Sequence, residues 1–157
     1  MRVLGIDPGT LVCGYGVVDC VGSKMKAVHF GAVRVRTGMS YPERLVQIHR
    51  GLLEVIREHR PEVAAIERLF VGKGMQSAMR TGEGRGIAVL TAALENLPVC
   101  EYTPAEVKKS VVGAGGAHKT QVQEMVRVIL GLAELPRPQD AADALAVAIC
   151  HCGRVRF

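Results

Sequence analysis

Two short runs of small and aliphatic residues in this chain each stop at a single acid. Val3-Leu4-Gly5-Ile6 ends at Asp7, and Val63-Ala64-Ala65-Ile66 ends at Glu67. Neither run alternates polar with apolar residues, as a strand with one wet face would. Runs this short and continuous fit central strands covered by helices on both faces. If the two strands are neighbours in one sheet, their terminal acids come together at its edge.

The rest of the chain reads around that pair. Asp7-Pro8-Gly9-Thr10 is a turn, with Pro and Gly supplying the bend. Gly14 to Cys20 and Ala27 to Arg36 read as second and third strands across a Gly-Ser-Lys turn at 22–24, which makes an antiparallel meander. Ser40 and Glu43 form a capping-box pattern with Pro42 in the first turn. Leu45, Ile48, Leu52 and Val55/Ile56 then recur at helical spacing until Pro61. Residues 71–86 are rich in Gly, Lys and Arg and lead into an Ala/Leu-rich helix ending near Asn96. Pro98 to Tyr102 is a short strand, Thr103 to Ser110 a helix, and 112–119 a Gly-rich segment. Thr120 and Gln123 make a second capping-box pattern ahead of a helix closed by Gly131. A last helix begins around Gln139 and runs through Cys150. The expected fold is α/β, a mixed sheet of three antiparallel strands and then parallel ones, flanked by helices on both faces.

The 157 residues fit a single domain, 1–157, with no internal repeat or linker. The five cysteines show no disulfide framework, and Cys150 and Cys152 around His151 lack a second ligand pair for zinc. Reduced thiols, no leader-like N-terminus and no membrane-length apolar stretch fit a cytoplasmic protein. Lys and Arg number 20 against 15 Asp and Glu. If four of those acids share one metal site, the remaining surface carries 20 bases against 11 acids, a balance suited to phosphate.

Asp140 and Asp143 lie at i and i+3 and so project from one face of the final helix. Docking that face over the strand ends would gather them with Asp7 and Glu67. Each acid alone has a plainer explanation. Asp7 precedes a Pro-Gly turn, and Asp140 and Asp143 suit the dipole of a helix first turn. Glu67, after an unbroken apolar run, is harder to place without a partner. Four crowded carboxylates repel one another and need cations to persist as ions. Their hard oxygens favour Mg2+, with Mn2+ able to substitute. Two such ions could promote hydrolysis of a phosphodiester by in-line displacement.

The chain resembles the RuvC family of Holliday junction resolvases, within the RNase H-like superfamily. The resemblance is carried by Gly5-Ile6-Asp7-Pro8-Gly9-Thr10 with Gly14-Tyr15-Gly16, Ile66-Glu67 with Phe70, and Ala78 to Gly86. Val107-Lys108 with Val111-Val112-Gly113, Lys119 with Gln121-Val122, and Asp140 to Ala146 complete the set. It implies a homodimer that makes paired, symmetric nicks in four-way junction DNA during recombination and repair. It also implies magnesium, two ions per active site, held by Asp7, Glu67, Asp140 and Asp143 as catalytic acids. Some members carry histidine where this chain has Asp140, and serine is common where it has Thr10. RuvA and RuvB are the partners that the resemblance implies.

Phe70, just after Glu67, would stack on an unpaired base at the junction centre; a core phenylalanine is the plainer alternative. Lys73, Arg80 and Arg85 have only Glu83 opposing them and are candidate phosphate contacts, or else solvated charges. Lys108 and Lys119 match family positions beside the active site. Gly82, Gly84 and Gly86 cost helix propensity and point to close packing, either on a second copy or on this chain's own sheet. The competing functions are another RNase H-fold nuclease acting on RNA–DNA hybrid, a junction-binding module without catalysis, and an actin-like phosphotransferase. The last lacks a second domain to enclose a nucleotide.

Overall fold

The two apolar runs are neighbouring parallel strands. The computed structural model describes residues 1–69 and 74–155. Strand β1 (Arg2–Asp7) lies between β2 (Val12–Val21), antiparallel to it, and β4 (Val63–Glu67), parallel to it. Beyond β2 lies antiparallel β3 (Lys24–Arg34), and beyond β4 lies parallel β5 (Val99–Tyr102), giving the order β3-β2-β1-β4-β5. The sheet is mixed and covered on both faces, as the alternation of elements predicts.

Side-chain period decides which core each residue joins. Leu4, Ile6, Ala64 and Ile66 point to one face, with Ile48, Leu52 and Val55 of α1 (Tyr41–His59) and Ala88 and Ala92 of α2 (Met75–Leu94). Val3, Val63 and Ala65 point to the other. There they meet α3 (Pro104–Val112), α4 (Lys119–Leu130) and the almost wholly buried α5 (Gln139–Arg154).

Local signals set most of the helix ends. Ser40 and Glu43 cap α1 reciprocally, and Arg60 in the left-handed region closes it before Pro61. Thr103 and Glu106 make a second reciprocal box at the start of α3. The box expected at Thr120 and Gln123 does not form. Instead α4 starts at Lys119 behind His118, whose backbone N–H donates to Gln121 Oε1 at 2.9 Å, and Thr120 lies inside the helix. Likewise α2 begins at Met75, well before the Ala/Leu-rich stretch, so its glycines are helical. Gly84 is the one with a reason inside the chain. A Cβ there would stand 2.7 Å from the backbone of Gly9, so α2 abuts the turn that follows Asp7. Gly86 has nothing near it.

Candidate active site

Residues that alternate along β1 put Asp7 on the same face as Val3 and Gly5, and along β4 they put Glu67 with Val63 and Ala65. Both acids therefore project from adjacent strand ends toward α5. The parallel register, Ile6 opposite Ile66, makes them neighbours.

What brings α5 down onto them is the absence of side chains beneath it. In the β1–β2 ladder Gly5 pairs with Gly16 and Asp7 with Gly14. A Cβ on Gly5 would lie 2.0 Å from the carbonyl oxygen of Ala144, and one on Gly14 would lie 2.1 Å from that of Asp140. The backbone of α5 rests directly on these strands, with Ala141, Ala144 and Ala148 buried along it. That contact sets the first two turns of α5, carrying Asp140 and Asp143, over Asp7. The motif Gly14-Tyr15-Gly16 was visible in the sequence, but its role as the seat of α5 was not.

The electrostatics register the convergence. Burial, then the charges of Asp143, Glu67 and Asp140, push the Asp7 carboxyl up to about 8, against the opposing charge of Lys119. Lys119 Nζ stands 3.0 Å from Asp143 Oδ2. Its partial burial lowers its proton affinity, but the hydrogen bond and charge of Asp143, with Asp7 and Asp140 behind it, hold the ammonium above its ordinary value. Beneath the turn, burial pushes the Cys13 thiol up to about 12 against a backbone hydrogen bond from Gly9. Cys13 itself is buried in the core on the opposite face of the sheet, with α1 and α2.

Among the described residues, no three His, Cys, Asp or Glu side chains close on one point suited to a metal ion. The donor set nonetheless fits a divalent cation. It comprises four hard oxygen ligands, one of them largely buried and starved of positive charge.

The basic and aromatic candidates divide. Lys119 joins the acids, and Lys108 is half-buried on α3 after the core residue Val107. Arg80 is exposed on α2. Arg85 contacts Glu101 of β5 as an ion pair. Phe70 and Lys73 lie outside the described residues. A buried bond of 2.7 Å between the Tyr102 hydroxyl and His151 Nδ1 ties β5 to α5, and burial lowers the imidazole's proton affinity. This places His151 in the packing between flanking cysteines that are also buried.

Residues 3–151 match the family model described as crossover junction endodeoxyribonuclease RuvC. A protein of that name from Chloroflexus aurantiacus is 51% identical over 151 residues, covering 96% of this chain and 92% of the relative. Its counterpart in Dehalococcoides mccartyi is 49% identical over 157 residues, covering 100% of this chain and 94% of the relative. Among solved structures, Thermus thermophilus RuvC in complex with Holliday junction substrate superposes with a TM-score of 0.93 at 39% identity. That match covers 99% of this chain and 95% of the other.

Proposed function

The chain belongs to the RuvC family of crossover junction endodeoxyribonucleases, and we propose that it resolves four-way DNA junctions by paired nicks in recombination and repair. The observation that carries the catalytic part is the convergence of Asp143, Glu67 and Asp140 on the buried Asp7. An RNase H-like fold supplies that geometry, and residues 1–157 act as one nuclease domain.

Asp7, Glu67, Asp140 and Asp143 are the residues that would hold magnesium, two ions in the full site, with manganese as a substitute. When bound, magnesium supplies Lewis acidity to the attack of water on the phosphodiester and to the departing 3′ oxygen. The protein's own part is to orient and to desolvate. Adjacent strand ends fix Asp7 and Glu67 side by side, and the glycine seat fixes the two acids of α5 above them. Lys119 holds Asp143 and brings a positive charge to the edge where a strand's phosphate arrives. In the overall reaction one P–O bond to the 3′ oxygen breaks and one to the water oxygen forms. The water's protons leave to the carboxylates or to solvent, and the products are a 3′ hydroxyl and a 5′ phosphate.

Paired nicks need two active sites. The outward side of α2 offers a surface for a second copy, since Met75, Met79, Leu90 and Leu94 are exposed and Gly86 is open. Arg80, Lys108 and Lys73 are proposed phosphate contacts, and Phe70 is the proposed stacking residue at the junction centre. RuvA and RuvB are proposed partners through family membership. No helix among the described residues is long and apolar enough to cross a membrane, and a cytoplasmic site of action suits the substrate.

The test offers the purified protein a synthetic four-way junction, a linear duplex and an RNA–DNA hybrid, each with and without magnesium. Symmetric nicks confined to the junction are expected. Cleavage of the hybrid alone, or tight junction binding with no cleavage in magnesium, overturns the reading.

A further inference from the structure

Strand β5 carries one acid where its pattern calls for an apolar residue. Val99 packs with the core beneath α1 and α2, and Glu101, two residues on, points to the same face. It pairs in register with the core residue Ile66, while the next residue, Tyr102, pairs with Glu67. A carboxylate in such a place needs a partner, and it has two. Arg85 of α2 contacts its Oε1, and Arg68 Nε reaches its Oε2 at 3.8 Å.

Arg68 is the residue immediately after Glu67. Its backbone N–H donates to the Tyr102 carbonyl at 2.7 Å, so strand pairing continues one step past the acid and fixes the base of the arginine beside β5. Its side chain is 60% exposed, against 32% for Arg85. Each guanidinium has about five N–H donors and a carboxylate about four acceptor sites. One carboxylate therefore cannot satisfy both arginines, and the trio keeps a net positive charge with donors to spare.

We infer that Glu101 is a positioning residue that gathers Arg68 and Arg85 into a phosphate seat at the end of β4, on the face opposite the Glu67 side chain, where a backbone phosphodiester of the bound DNA docks. The inference rests on the proposed action on DNA and adds Arg68 and Glu101 to the residues that would serve it. The geometry of the fork matters as well as its charge, because guanidinium donors recognise phosphate oxygens in pairs. The sign of the expected effect is distinctive. Deleting an acid near DNA ordinarily tightens binding, since a basic surface gains net charge. Deleting an acid that holds two arginines in place weakens it.

The test uses the full-length protein carrying Asp7→Asn, so that junction binding is read without cleavage, across a range of salt. Adding Glu101→Gln is expected to weaken binding by about three- to tenfold, and Glu101→Asp to recover part of the loss. Arg68→Ala is expected to lower the slope of log affinity against log salt by about one, and Arg68→Lys to restore the slope but not the full affinity. With Asp7 intact, Glu101→Gln should raise the junction concentration giving half-maximal cleavage more than it lowers the saturating rate. Binding by Glu101→Gln as tight as the parent's, or an unchanged salt slope in Arg68→Ala, overturns the inference. If Glu101→Gln fails to fold, the exposed Arg68 variants decide alone by the same slopes. A parent that binds linear duplex as well as the junction defeats the proposed substrate, while the salt slope still reports the phosphate seat.

Discussion

The β1–β2 hairpin carries an aspartate near each end, and the two meet opposite electrostatic surroundings. At the open end Asp19 lies across the ladder from Arg2, whose Nε and Nη2 donate to its two oxygens at 2.7 and 2.9 Å. That hydrogen bond holds the Asp19 carboxyl below its ordinary range. At the turn end Asp7 lies across from a glycine, with three further acids converging on it, and its carboxyl is pushed up to about 8. One end is neutralised within the fold, and the other is left in deficit of positive charge. A deficit that costs stability is retained where a cation and a substrate are to be bound. The difference separates a charge that holds the hairpin from one that works on a ligand.

The strongest way to break the contrast is Asp7→Asn. Cleavage of the junction should fall by on the order of a thousandfold, about 4 kcal/mol of barrier, with junction binding retained. Single-turnover cleavage and a binding titration check the two halves. Retention of near-parental cleavage would remove Asp7 from the site. The same variant tests the deficit itself in chelator. The folded carboxyl near 8 lies above its unfolded value of 3.8. Its contribution is therefore fully present below the unfolded value and is lost as pH rises toward 8. Asn has no such loss, so the variant should gain several kcal/mol over the parent at pH 8 and little at pH 4. Urea denaturation at both pH values reads the difference.

Gly14→Ala attacks the turn end through packing. Its Cβ would meet the Asp140 backbone at 2.1 Å, which no rotamer can relieve, so α5 must lift from the sheet. A loss of about 2–3 kcal/mol in stability is expected, with weaker cleavage because Asp140 and Asp143 move with the helix. A fully stable variant with parental cleavage would mean that α5 is not seated here. Lys119→Met removes the ammonium that opposes the acids. It should slow cleavage about ten- to a hundredfold, on the order of 2 kcal/mol, while leaving the fold intact. An unchanged rate would leave Lys119 as a surface charge that happens to reach Asp143.

The two ends also differ in how much of them the sequence disclosed. Burial on both faces leaves an unbroken apolar run, so β1 and β4, and the acids that stop them, could be read directly. The i, i+3 spacing of Asp140 and Asp143 was equally plain. The seat beneath them was not, because Gly5, Gly14 and Gly16 acquire meaning only once α5 lies across them. The α4 boundary was misread for a related reason. Glutamine at both 121 and 123 offers two capping patterns, and the choice falls to the register that buries Val122, Val126 and Leu130. For α2, the Gly-, Lys- and Arg-rich composition of residues 71–86 hid the first turns of the helix, in which Gly82, Gly84 and Gly86 carry a propensity cost. Contact of Gly84 with Gly9, and the packing of the helix behind it, outweighs that cost. The pairing of Arg85 with Glu101 joins residues of different elements, and charge patterning along the chain does not reveal it.

The smallest expected effect is at the open end, and it is the control for all the others. Asp19→Asn keeps the shape of the side chain and removes the charge that Arg2 holds. The Asp19 side chain is 38% exposed, so solvent screens the pair, and about 0.5–1 kcal/mol of stability is at stake. The folded carboxyl lies below its unfolded value of 3.8, so the contribution is present above that value and is lost as pH falls through the folded one. Parent and variant should therefore differ at pH 7 and converge in acid, the reverse of the pH trend expected at Asp7. Because Arg2 also donates to the His59 carbonyl at 2.7 Å, its guanidinium stays anchored and the hairpin should not open. Junction cleavage should match the parent's. A marked loss of cleavage in Asp19→Asn would show that the two ends of the hairpin are mechanically coupled, and the division between a holding charge and a working one would fail.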